Sequence, residues 1–128
     1  MLFRSEQFVE AEGGRKDMAE FIDPLVDIGE KVKKLTMELG MKAMTNKNEV
    51  GAAAVPYLRV VGHFVYAFLF AKMAKISLDK KDVGDDFYKA KLATARFYFA
   101  KLLPETAYQI RAARAGSESL MALEADLF

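Results

Sequence analysis

The 128-residue chain has no cysteine, one histidine and three prolines, and its 19 basic and 18 acidic residues leave a net charge of only +1. Without cysteine there are no disulfides and no thiolate metal sites, a usage that suits a reducing cytoplasm. A single histidine, His63, with no cysteine beside it leaves no zinc site of ordinary composition. The near-zero charge is no electrostatic footprint for nucleic acid or anionic lipid. The start, MLFRSEQFVEAEGG, has no apolar core followed by a small-residue cleavage site, so no secretory signal is predicted. Also missing are G-x-G-x-x-G, G-x-x-x-x-G-K-[ST] and G-x-S-x-G, the glycine-rich and nucleophile-elbow patterns of phosphate binding and acyl transfer.

What is abundant is apolar surface. Hydrophobic residues make up 52% of the chain, with ten Phe and seven Met, enough to build the core of one domain. The greasiest stretch, VVGHFVYAFLFA over residues 60–71, is closed by Arg59 and Lys72. A membrane-spanning helix needs roughly 20 mostly apolar residues, and a shorter run reads as a buried core helix. The expectation is a soluble protein with no membrane span.

Periodicity predicts an all-α fold, a bundle of three long helices and a short C-terminal one, with no alternating strand pattern. Residues 1–14, ending in Gly13-Gly14, read as an arm or trailing linker, and residues 15–128 as the helical domain. Met18, Phe21, Ile22, Leu25, Ile28, Val32, Leu35 and Leu39 recur at steps of three and four, one stripe of an amphipathic helix. Either Asp23 caps it with Pro24 at its first position, or an earlier turn leads into it. After TNKN, Asn48 caps a second helix reaching about Ser77, with Pro56 at its start or at a bend. A third is capped by Asp85 or Asp86 and carries Tyr88, Leu92, Ala95, Phe99, Leu102, Thr106, Ile110 and Ala113. That register crosses Pro104 unbroken, so one long kinked helix is expected, ended by Gly116 in a left-handed cap. Ser117 opens the short fourth helix, SESLMALEADLF.

The second and third helices are oilier than one buried stripe requires. On a helical wheel centred on Tyr88, Phe87 and Tyr98 fall about 80–100° to one side, and Phe97 and Tyr108 nearly opposite. The second helix is apolar almost all round between Val60 and Ala71. A surface helix needs only one stripe, so a second surface to pack against is expected; the plainer reading is a second helix central to its own bundle.

Candidates for chemistry are few. His63 reads as a hydrogen-bonded core residue ahead of an acid or base, or as part of a small-molecule pocket with neighbouring tyrosines. Glu20, Asp23 and Asp27 share a face, but a di-metal bundle uses Glu-x-x-His pairs and none exists; a solvated face is the reading. Arg59, Arg96, Arg111 and Arg114 are helix arginines of the kind that form surface pairs or meet a phosphate.

Two segments, AVPYLRVVGHFVYAFLFAKMA and FYKAKLATARFYFAKLLPETAYQIRAARAGSESLMAL, resemble the C-terminal extension of the enlarged bacterial acyl-CoA dehydrogenases. These include enzymes similar to 3-methylmercaptopropionyl-CoA dehydrogenase and mycobacterial-type fatty acyl-CoA dehydrogenases. The likeness rests on Tyr57-Leu58-Arg59, on the stretch from Lys91 to Tyr98, on Leu103-Pro104-Glu105-Thr106 and on Arg114-Ala115-Gly116-Ser117 with Leu120 to Leu123. The resemblance implies a parent flavoprotein that binds FAD, oxidises an acyl-CoA to a trans-2-enoyl-CoA and passes electrons to an electron-transfer flavoprotein. Its glutamate base and β-domain belong to a part with no counterpart here, so no catalytic, cofactor-binding or metal residue is carried over. The chain is then expected to be a cytoplasmic, non-catalytic C-terminal domain that binds no cofactor itself. It would pack on the catalytic domains of a homo-oligomer and shape the substrate entrance, with Arg59, Arg96 and Arg114 as candidate CoA or subunit contacts. The alternative is a free-standing helical interaction module or homodimer.

Overall fold

The apolar stripes close around one another in a computed structural model that describes residues 2–84 and 86–127. It contains five α-helices among those residues: α1 (Leu2–Glu12), α2 (Ala19–Thr45), α3 (Asn48–Asp79), α4 (Asp86–Phe97) and α5 (Glu105–Arg114). No strand forms among them. The all-α bundle expected from periodicity is therefore present.

Helix α2 buries Phe21, Ile22, Leu25, Ile28, Val32 and Leu35, the stripe read from the sequence. A 3-10 turn over Lys16–Met18 leads into it, and Pro24 lies within its second turn. Asp23 therefore lies inside the helix. As the sixth residue of the helix, Pro24 lies just past the turn whose N–H groups have no partner, and it leaves the Glu20 carbonyl without its i+4 donor. At the entry to α3, Asn46 takes the capping role expected of Asn48: its side-chain oxygen accepts the Asn48 N–H at 3.1 Å. Helix α3 continues through Pro56 without ending.

Helix α3 is the axis of the molecule, packing against α2, α4 and α5. Its inner face is Ala53, Val60, Phe64, Ala67, Ala71 and Ala74, all buried. Small alanines at steps of three and four let neighbouring backbones approach, and Gly29 of α2 makes room for the Phe64 ring. A Cβ there would stand 3.3 Å from the Phe64 ring. Opposite, Phe21 meets Phe99 edge-on with ring centres 5.6 Å apart, so α2 and the third rod close over a shared core.

That third rod is the kinked helix expected across Pro104, with one difference of register. Between α4 and α5, residues Tyr98–Leu102 form a π-helical turn, and the Leu103 N–H bonds back to the Tyr98 carbonyl at 3.0 Å. A π turn inserts an extra residue where a proline would otherwise press on the preceding turn. The inserted residue shifts the stripe: Leu103 is 7% exposed while the predicted Leu102 is 46% exposed, and Tyr98 is turned inward.

Two expectations at the chain ends differ from what forms. Residues 1–14, read as an arm or trailing linker, contain α1. It lies on the core, with Phe8 edge-on to Phe68 at 5.7 Å and Ser5 buried. Its apolar positions are too few to show a stripe, which is why periodicity missed it. Of residues 117–128, read as a fourth helix, the described part, up to Leu127, forms 3-10 turns over Glu118–Leu120 and Ala125–Leu127 and no α-helix. Gly116 does adopt the left-handed conformation expected of it, with φ +79°. There the Glu49 carboxylate accepts from the Ser117 N–H at 3.0 Å and its hydroxyl at 2.6 Å. This latch ties the end of the third rod to the start of α3.

Candidate functional site

A helix apolar all round has a face left over once its core face is packed. On α3 the residues at steps of three and four are Val55, Leu58, Gly62, Val65, Leu69, Lys72 and Ile76, roughly opposite the buried set on a 100° wheel. Val55, Leu58, Leu69 and Ile76 are each half or more exposed. The spacing is that of a heptad seam, which in coiled coils faces a partner helix. By length and composition α3 is long and apolar enough to cross a membrane, and only 28% of its most apolar window is buried inside the fold. A core helix would be mostly covered. The surplus inferred from the sequence is therefore uncovered in this chain, and α3 is not simply central.

The rest of the surplus lies where the wheel put it, apart from one ring. Phe87, Phe97 and Tyr108 are exposed, whereas Tyr98 is buried. Two grooves flank the outer stripe. One, about 570 Å³, runs between α2 and α3 and is lined by Leu39, Ala43, Val50, Ala54 and Leu58. Its polar marks are Thr36 and Tyr57, whose hydroxyls lie 2.9 Å apart. The other, about 320 Å³, runs between α3 and α4 over Leu69, Met73, Ile76, Phe87 and Tyr88, with Lys72 and Lys91 at its rim.

A polar cluster sits beside the π turn. The Tyr98 hydroxyl donates to the His63 carbonyl at 2.9 Å and lies 3.0 Å from His63 Nδ1. Nε2 of His63 lies 3.5 Å from a Glu105 carboxylate oxygen. Glu105 also accepts from Arg59 at 3.0 Å and Gln109 at 2.8 Å. Those bonds, from Gln109 first and then Arg59, hold its carboxyl below the usual range. Burial pushes the Tyr98 phenol well above its usual value, helped by the nearby Tyr66. Phe70 stacks on the Tyr98 ring at 4.4 Å. The raised phenol stays protonated, and both imidazole nitrogens have polar neighbours, Tyr98 on one side and Glu105 on the other. The cluster spans the kink, and His63 is hydrogen-bonded as expected but half-buried at the edge of the core instead of inside it.

The three candidate arginines are not brought together. Arg59 pairs with Glu105, Arg96 with Glu20 through three contacts of 2.7–3.1 Å, and Arg114 with Glu38 at 2.7 Å. Each pair links two helices and is largely solvent-exposed, so it adds little to stability. Of the three carboxylates on one face of α2, Glu20 serves Arg96 and Asp27 serves Lys31. No group of three or more His, Asp or Glu gathers as metal ligands among the described residues. These residues do not fit FAD either: the arginines suited to its pyrophosphate are each held by a glutamate, and the two grooves flanking the outer stripe of α3 are open and apolar.

A family model described as Acetyl-CoA dehydrogenase C-terminal like matches residues 3–124. The chain belongs to that family, and the match takes in α1 as well as the segments that carried the resemblance. No curated protein matches the sequence.

Proposed function

We propose that this chain is the non-catalytic C-terminal helical domain of an FAD-dependent acyl-CoA dehydrogenase and that it docks on the enzyme's catalytic domains through the outer face of α3. The observation that carries the reading is the uncovered seam from Val55 to Ile76 on a helix whose other face is fully packed. An exposed apolar stripe of this length usually marks an interface. Fully burying each leucine is worth about 1.5–3 kcal/mol. Membership of the family supports the catalytic domains as the partner; on this reading the flavin, the acyl-CoA and the electron-transfer flavoprotein are handled there. This domain stabilises the oligomeric assembly and borders the acyl-CoA entrance, and a cysteine-free chain is compatible with work in the cytoplasm.

Because the chain has no cysteine, a Leu69→Cys variant carries one thiol for an environment-sensitive fluorophore. Mixed with the acyl-CoA dehydrogenase catalytic domains encoded in the same genome, the labelled domain is expected to show a blue shift that saturates. The isolated domain titrated with FAD or octanoyl-CoA is expected to show no saturable binding. A fluorophore that stays in water with the catalytic domains present overturns the docking. A stable dimer that buries the fluorophore without them favours the free-standing module, and a tight FAD complex overturns the non-catalytic reading.

A further inference from the structure

The outer face of α3 is not uniform. Its N-terminal half is apolar and uncharged apart from Arg59, which Glu105 already holds. The C-terminal half, where the groove between α3 and α4 opens, is ringed by lysines. Lys72 lies over the Phe68 ring at 5.4 Å, Lys80 over Tyr88 at 5.7 Å and Lys91 over Phe87 at 5.1 Å. Among the described residues none of the three has a carboxylate partner, and the acids closest on these helices are taken. Asp79 is paired with Lys75 and Arg15, and Asp86 with Lys89. What marks these three is their position: they gather on ring faces around one apolar groove, whereas the groove between α2 and α3 has no charged residue in its lining.

We infer that the groove between α3 and α4 receives an acidic amphipathic helix of the partner domain, its apolar residues on Leu69, Met73 and Ile76 and its carboxylates on Lys72, Lys80 and Lys91. The inference rests on the docking reading above and adds the chemistry of the partner. Leu69, Met73 and Ile76 are spaced i, i+4 and i+7, the ridge that packs into another helix's groove. Complementary charge at the rim then fixes orientation and speeds encounter. A second copy of the chain is the poorer occupant. Parallel pairing of the seam sets Lys72 against Lys72. Antiparallel pairing with Gly62 opposite Val65 sets Lys72 opposite Val55, one turn from Arg59.

The probe is a fluorescein-labelled three-heptad peptide with leucine at the seam and glutamate beside it, compared by anisotropy with its lysine twin. The chain is expected to bind the acidic peptide at least about tenfold tighter, and added salt should narrow the gap. Lys72→Glu with Lys91→Glu should reverse the order, and Lys72→Met with Lys91→Met should abolish the preference, each with an unchanged circular dichroism spectrum. Equal binding of the two peptides, or indifference to the lysine changes, overturns the inference. So does co-sedimentation with phosphatidylserine vesicles, lost in the Glu variant while neither peptide binds, which assigns the groove to a lipid surface. So does a dimer in sedimentation velocity that the same variant dissolves. If the fluorophore at position 69 still reports docking when the lysines are reversed, only the acidic partner falls. If it never reports docking, the reading beneath falls as well.

Discussion

The two faces of α3 are built from similar residue types and have opposite fates. The inner face holds four alanines, Ala53, Ala67, Ala71 and Ala74, with the larger Val60, Phe64 and Phe68, and every one is buried. The outer face holds Val55, Leu58, Leu69 and Ile76, and every one is exposed. Hydrophobicity alone predicts burial of both. Size separates them: alanines let α2 and the third rod come close enough to exclude water, and the bulkier outer row stands off the surface where a partner can interdigitate with it. One helix thus carries a finished interface and an unfinished one.

The sharpest way to break this comparison is to truncate one residue on each face. Phe64→Ala empties a site sealed by Gly29 and is expected to cost about 3–5 kcal/mol. Leu69→Ala is expected to change the isolated domain by less than about 0.5 kcal/mol. Urea unfolding followed by circular dichroism checks both, and a large loss from Leu69→Ala would mean the outer face is already covered. Tyr98→Phe tests the inner side at its polar edge. The ring stays stacked on Phe70, but the hydroxyl shared by His63 Nδ1 and the His63 carbonyl is lost, for an expected cost of about 1–3 kcal/mol. The same unfolding curves measure it.

The smallest effects belong to the surface pairs, which lie outside the comparison and act as its control. Asp17 and Asp79, and Glu38, Glu49 and Glu105, have carboxyls held below their ordinary values of 3.8 and 4.5 by bonds to Arg15, Lys75, Arg114, Ser117 and Gln109 respectively. A lowered folded-state value means that the stabilisation is complete above the ordinary value and is lost as pH falls through the lowered one. Thermal midpoints should therefore be flat from about pH 7 to 5 and decline below about 4.5. Glu49→Gln, which keeps shape but weakens the latch on Ser117, should reduce that decline.

Much of the fold was legible because its signals are local. The stripe from Met18 to Leu39, the loop at TNKN, the kink at Pro104 and the left-handed Gly116 each depend on residues within a turn or two. The π turn was not legible, because whether a proline bends a helix or adds a residue depends on what packs against it; here Tyr98, held by Phe70 and His63, decides. Helix α1 was missed because its packing rests on Phe8 and Ser5 and no stripe announces it. The arginines were recognised as pairing residues, but their partners lie 46 and 76 positions away. The lysines at the groove were invisible for the complementary reason: being unmatched is a property of what does not come near.

From residue order alone came helical class, the location of the long rods and the presence of more apolar surface than one stripe needs. These follow from period and composition, which are properties of the chain before it folds. Tertiary structure alone decided which apolar face of α3 was used and which was left, since a helix apolar all round has no preferred side until small residues let its neighbours in. It also decided where charge remained uncompensated, because cancellation is settled by distances across helices that the order of residues does not contain.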